Sequence, residues 1–273
     1  LETRGLEGGF LLQPDEVIAM SRLTRPILAA ALLAWAVATL AAPIDPAIDD
    51  VTGPFSYFSR PSTVLGVADG DEGTQVGPEG WLWTGSAQLL FFAGPELQPL
   101  RQRIHTLQDG VLPIVSHSTA IGGIEYRVTM FGATLDGKPE SNLVNFIRVT
   151  LRNGGRAPAT GTFATALRAE GPYCCERLRR PWTMLKARYE LSGECALRDG
   201  NVMYTFDADH SPQRLVVPDK PGSVPIEAKD EGVIGQAPVC MVRYDLELAP
   251  GETQALDFTM PYLPVPTENA EAV

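Results

Sequence analysis

The sequence predicts an all-β protein made of two packed antiparallel sheets. Two observations carry that reading. Apolar and polar residues alternate with a period of two through many short stretches, and Gly, Pro, Asn and Asp turns punctuate them. In the clearest stretch, Cys240, Val242, Tyr244, Leu246 and Leu248 point one way while Met241, Arg243, Asp245 and Glu247 point the other. Such a strand buries one face and wets the other, as antiparallel sandwich strands do.

Taken from the start of the chain, residues 1–19 carry four acids and one base and read as an upstream extension outside the native protein. Residues 20–41 have the order of a signal peptide. Arg22 and Arg25 follow Met20 and precede an uncharged Ala/Leu-rich run from Pro26 to Leu40, with Ala36-Val37-Ala38 as the favoured cleavage motif. That arrangement predicts export to the periplasm or beyond a bacterial cell. Left uncleaved, the same run would act as a membrane anchor. Residues 42–61 read as a linker, 62–266 as the sandwich and 267–273 as a tail.

Within the sandwich, strands are expected at Ala87 to Phe92, Val111 to Ser116, Ile124 to Phe131, Leu143 to Leu151, Gly161 to Arg168 and Val202 to Asp207. "LDGKPESN" joins the third of these to the fourth and "RNGGRAPA" the fourth to the fifth. Cys240 to Leu248, the turn "APGET" and "QALDFTM" read as an antiparallel hairpin. A short helical or irregular insertion is expected near residues 174–195, where Leu178, Trp182, Leu185 and Tyr189 fall at helical spacing and Pro181 suits only a first turn. Its basic residues, Arg177, Arg179, Arg180, Lys186 and Arg188, read as a solvated face, with a docking patch as the alternative.

A net charge of −11 repels phosphate backbones, so no nucleic-acid partner is expected. The four cysteines, Cys174, Cys175, Cys195 and Cys240, are disulfide candidates in an exported chain. A bond between adjacent Cys174 and Cys175 would need a strained ring, so each is expected to pair with Cys195 or Cys240, in an order the sequence leaves open. GxSxG, GxGxxG and GxxxxGK[ST] are absent, which argues against motif-defined hydrolase and nucleotide chemistry. His105, His117 and His210 stand far apart with no HxxxH or HExxH spacing, and "ADGDEG" lacks the rest of a calcium loop, so neither a metal nor a cofactor is expected. The contact candidates are Asp207, Asp209 and His210 in "FDADH", and Trp81 and Trp83 in "EGWLWTG", which share a face if extended. Exposed indoles there would form a platform for sugar rings.

The ordered run "STVLGVADGDEGTQVGPEGWLWTGSAQLLFFAGPELQPLRQRIHTLQDGVLPIV" followed by "IEYRVTMFGATLDGKPESNLVNFIRVTLRNGG" resembles the N-terminal β-supersandwich domain of bacterial six-hairpin glycoside hydrolases, the glucoamylase and glycogen-debranching-like group. "ELAPGETQALDFTMPYLPVP" resembles the last hairpin of that domain. The resemblance covers roughly Ser62 to Pro266 and implies a galactose mutarotase-like supersandwich. It implies a non-catalytic domain of a carbohydrate-active protein that packs against a C-terminal (α/α)6 catalytic barrel if the gene continues past Val273, with carbohydrate as the ligand. A free-standing carbohydrate-binding or cell-surface module is the alternative. A third reading, a mutarotase-type enzyme, would pair His117 with Glu125 on neighbouring strands.

Overall fold

The computed structural model describes residues 63–77, 80–100, 105–169, 187–217, 226–227, 233–237 and 239–272. The calls on residues 1–62, on Cys174 and Cys175 and on the basic run 177–186 lie outside them. Strands β1 (Thr63–Leu65), β2 (Thr74–Val76), β3 (Leu82–Trp83), β4 (Ala87–Ala93) and β5 (Gln98–Pro99) come first. They are followed by β6 (Thr106–Gln108), β7 (Leu112–Ile121), β8 (Ile124–Thr134), β9 (Leu143–Asn153) and β10 (Ala159–Ala169). Then come β11 (Ala187–Ser192), β12 (Cys195–Arg198), β13 (Asn201–Phe206), β14 (Gln213–Val217) and β15 (Ile226–Glu227). Last are β16 (Val233–Ala237), β17 (Val239–Leu248), β18 (Thr253–Pro261), β19 (Val265–Pro266) and a 3-10 turn, Thr267–Ala272.

The described residues form the two-sheet antiparallel sandwich that the alternation predicts. A nine-stranded sheet runs β1-β2-β3-β4-β10-β17-β14-β15, with β5 also on β4. A ten-stranded sheet runs β16-β11-β12-β13-β18-β9-β8-β7-β6, with β19 on β13. Between them lies one apolar core, to which the first sheet gives Leu89, Phe91, Phe163, Val242 and Tyr244 and the second Tyr126, Val128, Ile147, Val149 and Phe258. Phe163 touches rings from both sheets, with centroids 6.2 Å from Phe91 and 6.1 Å from Phe258.

The two sheets differ in their outer faces. Every residue of β4 is buried, and the outer face of the first sheet carries a second apolar cluster of Trp81, Trp83, Leu90, Phe92, Ala164, Ala166, Leu215, Val239 and Met241. This explains why "LLFFA" is apolar without a break: a strand covered on both sides has no wet phase. The second sheet is wet outside over β8 and β9, where burial alternates strictly from Ile124 to Phe131 and from Asn145 to Asn153.

Two connections depart from the sequence reading. β17 pairs with β10 and β14, whereas β18 pairs with β9 and β13, so "APGET" is an arch between sheets rather than a hairpin turn. The apolar faces of the two strands meet across the core, where Tyr244 and Phe258 pack edge to face at 5.9 Å. "RNGGRAPA" likewise carries the chain from β9 in one sheet to β10 in the other. The described part of the expected insertion, β11 and β12, is an ordinary antiparallel hairpin. Ala187, Tyr189 and Leu191 are buried in alternation, so the period of two overrides the helical spacing that reached Tyr189.

Candidate functional site

The wet face of β6, β7, β8, β9 and β18 forms a cleft of roughly 1010 Å³. The ladder register arranges its side chains in rows that cross the strands. In the first row Phe131 stands opposite Phe146 and Phe146 opposite Thr259. The two rings stack at a centroid distance of 5.1 Å and an interplanar angle of 18°, and Phe131 is 39% exposed. In the second row Thr106, Ser116, Thr129, Arg148 and Asp257 follow one another across five strands. The Ser116 and Thr129 hydroxyls lie 3.1 Å apart, and Arg148 donates from Nε and Nη2 to the two carboxylate oxygens of Asp257 at 2.7 Å each. Those bonds hold the Arg148 guanidinium above its ordinary pKa. In the third row Arg127 lies between Ser118 and Thr150. The fourth pairs Glu125 with Arg152 at 3.7 Å.

An apolar strip therefore lies beside a field of fixed hydroxyls and charges. That pairing suits a ligand with one greasy and one hydroxylated side, because the rings supply area while the fixed polar groups set orientation. Motif reasoning did not single out Phe131, Phe146 or Arg127. A signal was nevertheless present: Tyr126, Val128 and Met130 are the inward phase of β8, and Ile147, Val149 and Leu151 that of β9. Phe131 and Phe146 are thus aromatics on the phase that should be polar.

The expected site residues lie elsewhere. Trp81 and Trp83 do share a face, but they are 3% and 9% exposed within the second apolar cluster, and the Arg168 guanidinium sits 5.7 Å from the Trp81 ring centre. The open platform expected of them is not formed, because the outer face of their sheet is covered. Asp207, Asp209 and His210 do gather after β13. Asp207 Oδ1 lies 2.8 Å from His210 Nδ1 and accepts the Asp209 backbone N–H at 3.1 Å, and its carbonyl accepts the Tyr244 hydroxyl at 2.8 Å. The group is a turn closed by its own first aspartate.

His117 and Glu125 are not brought together. His117 stands opposite Val128 and Glu125 opposite Ala120, an odd offset that sends the two side chains to opposite faces. His117 is buried in the sandwich and Glu125 is half exposed beside Arg152. Cys195 and Cys240 are free thiols on different sheets. Burial raises the pKa of both, most strongly that of Cys240, which disfavours the reactive thiolate.

No family model matches the chain, and no curated protein matches it. Among solved structures, a polysaccharide lyase is similar at 14% identity and a TM-score of 0.28, over 73% of this chain. The match spans 32% of the lyase chain.

Proposed function

We propose that the chain is a non-catalytic β-supersandwich of an exported carbohydrate-active protein, and that the cleft on the ten-stranded sheet receives a saccharide. The observation that carries this reading is the stacked, part-exposed Phe131–Phe146 pair beside the Ser116, Thr129 and Arg148–Asp257 row in a single cleft. C–H faces of sugar rings pack on the apolar strip while ring hydroxyls meet groups whose orientation is already set, which limits the ordering cost of binding. The test is calorimetric titration of the chain with a panel of soluble oligosaccharides. Phe131→Ala and Phe146→Ala are each expected to weaken binding about fivefold, for a loss of about 1 kcal/mol of ring contact, with an unchanged melting temperature. Absence of binding across the panel refutes the reading.

A second reading, docking against a helical catalytic barrel, draws on Leu107, Val111 and Leu112, which are 40%, 78% and 42% exposed around the turn that joins β6 to β7. Apolar side chains grouped at one rim suit a protein surface better than a sugar. Replacing Val111 and Leu112, which lie outside the cleft lining, with serine separates the readings, since saccharide binding survives if that rim serves only docking.

A further inference from the structure

Among the described residues, three arginines stand on the wet face of β8 and β9, and their charges are not equivalent. Arg148 is held by Asp257 through two bonds of 2.7 Å, and Arg152 lies 3.7 Å from Glu125. Arg127, on the strand between the cleft's edge and β9, has hydroxyl residues for its ladder neighbours, Ser118 and Thr150. It takes part in neither ion pair of this face. It is exposed and lines the cleft. The nearest acid along its own strand face, Glu125, faces Arg152 across the ladder. Asp109, the remaining cleft carboxylate, lies in the turn after β6. Among the described residues the cleft therefore presents one guanidinium, that of Arg127, outside the ion pairs of this face.

Resting on the saccharide reading above, we infer that the ligand is an acidic sugar chain whose units carry an isolated carboxylate, a uronate, and that Arg127 recognises that group. A guanidinium fork matches the two oxygens of a carboxylate, and a cation without an ion-pair partner among the described residues keeps its charge for the ligand. Phe131 and Arg127 are four residues apart on the same face of β8, about 13 Å along the strand. That separation exceeds a single sugar ring, so a ligand that touches both is an oligomer. The net charge of −11 repels a dense polyanion at long range, which favours sparse single carboxylates over heavily sulfated chains.

The experiment is calorimetric titration of the full chain with galacturonate and mannuronate oligomers and with their methyl esters, which keep the rings and lose the charge. The wild type is expected to bind at least one acid about tenfold tighter than its ester, with the preference fading near about 1 M salt as the charges are screened. Arg127→Met is expected to lose the preference for acid over ester; Arg127→Lys is expected to keep part of it. Equal binding of acid and ester by the wild type overturns the inference and leaves the saccharide reading standing, as does a preference that survives in Arg127→Met. Binding of neither form, nor of any neutral oligosaccharide, overturns both.

Discussion

At the scale of single residues, Gly80 shows how backbone geometry and packing converge on one choice. Its φ of +88° lies in the left-handed region, where a side chain is strained. A Cβ there would also sit 2.6 Å from Nε2 of His117, which is 4% exposed and has no room to retreat. Gly80→Ala is expected to destabilise the fold by about 1–3 kcal/mol, the range for local strain combined with overpacking. Urea unfolding reads this as a lower midpoint with an unchanged slope. An unshifted midpoint would mean that the turn before β3 yields freely. The same reasoning separates the cleft residues from the core: Phe131, Arg127 and Arg148 lie on the wet face, so their replacement is expected to change binding and spare stability.

At the scale of elements, the arches that carry the chain between sheets depend on Asn153. Its Nδ2 donates to the carbonyls of Ala157 at 2.8 Å and Leu248 at 3.0 Å, while Oδ1 accepts the Gly155 N–H at 2.8 Å. Its backbone accepts from Gly251 at 2.8 Å and donates to Glu252 at 3.0 Å, so the "RNGG" and "APGE" arches are bound to each other. Asn153→Ala removes three side-chain bonds at a residue 1% exposed and is expected to cost about 2–4 kcal/mol. The loss is best measured by urea unfolding, and Asn153→Asp should cost at least as much, because a carboxylate oxygen would then face the Ala157 and Leu248 carbonyls.

These arches also mark the limit of what the sequence makes legible. The alternation from Cys240 to Leu248 states which side of β17 is buried, and the structure agrees. It does not state which strand lies alongside, because two facing sheets and two neighbouring strands present the same period of two. For the same reason the outward phase of β8 and β9 was readable, but the meeting of Phe131 with Phe146 was not, since it depends on a register fixed by β8 and β9 over eleven residue pairs. The burial of Trp81 and Trp83 lay further out of reach. A strand covered on one face and a strand covered on two are distinguished only by what packs over them.

At the scale of the whole molecule, the two sheets are held by an apolar core and by polar ties that cross between them. Asn145 Nδ2 reaches the Thr74 hydroxyl at 2.8 Å, Glu72 accepts the Leu143 N–H at 2.8 Å, and the hydroxyls of Thr165 and Tyr204 lie 3.2 Å apart. His117 adds a buried imidazole to these ties. It projects from β7 in one sheet onto the Gly80 turn of the other, with the His105 ring centre 5.6 Å away. Its pKa is lowered from 6.5 to about 4, mainly by burial and in part by the neighbouring His105, with the Gly80 backbone opposing both. The unfolded chain therefore binds a proton between pH 6.5 and about 4 that the folded chain refuses, and stability falls as the pH drops through that window. The full difference corresponds to about 3 kcal/mol, present above pH 6.5 and gone below about 4. Urea unfolding at intervals from pH 7.5 to 3.5 is expected to show this decline in the wild type and a shallower one in His117→Gln, whatever that variant loses at neutral pH. Curves that run parallel across the window would show that the joint between the sheets carries no titratable load, and that acid acts on this fold through its exposed carboxylates instead.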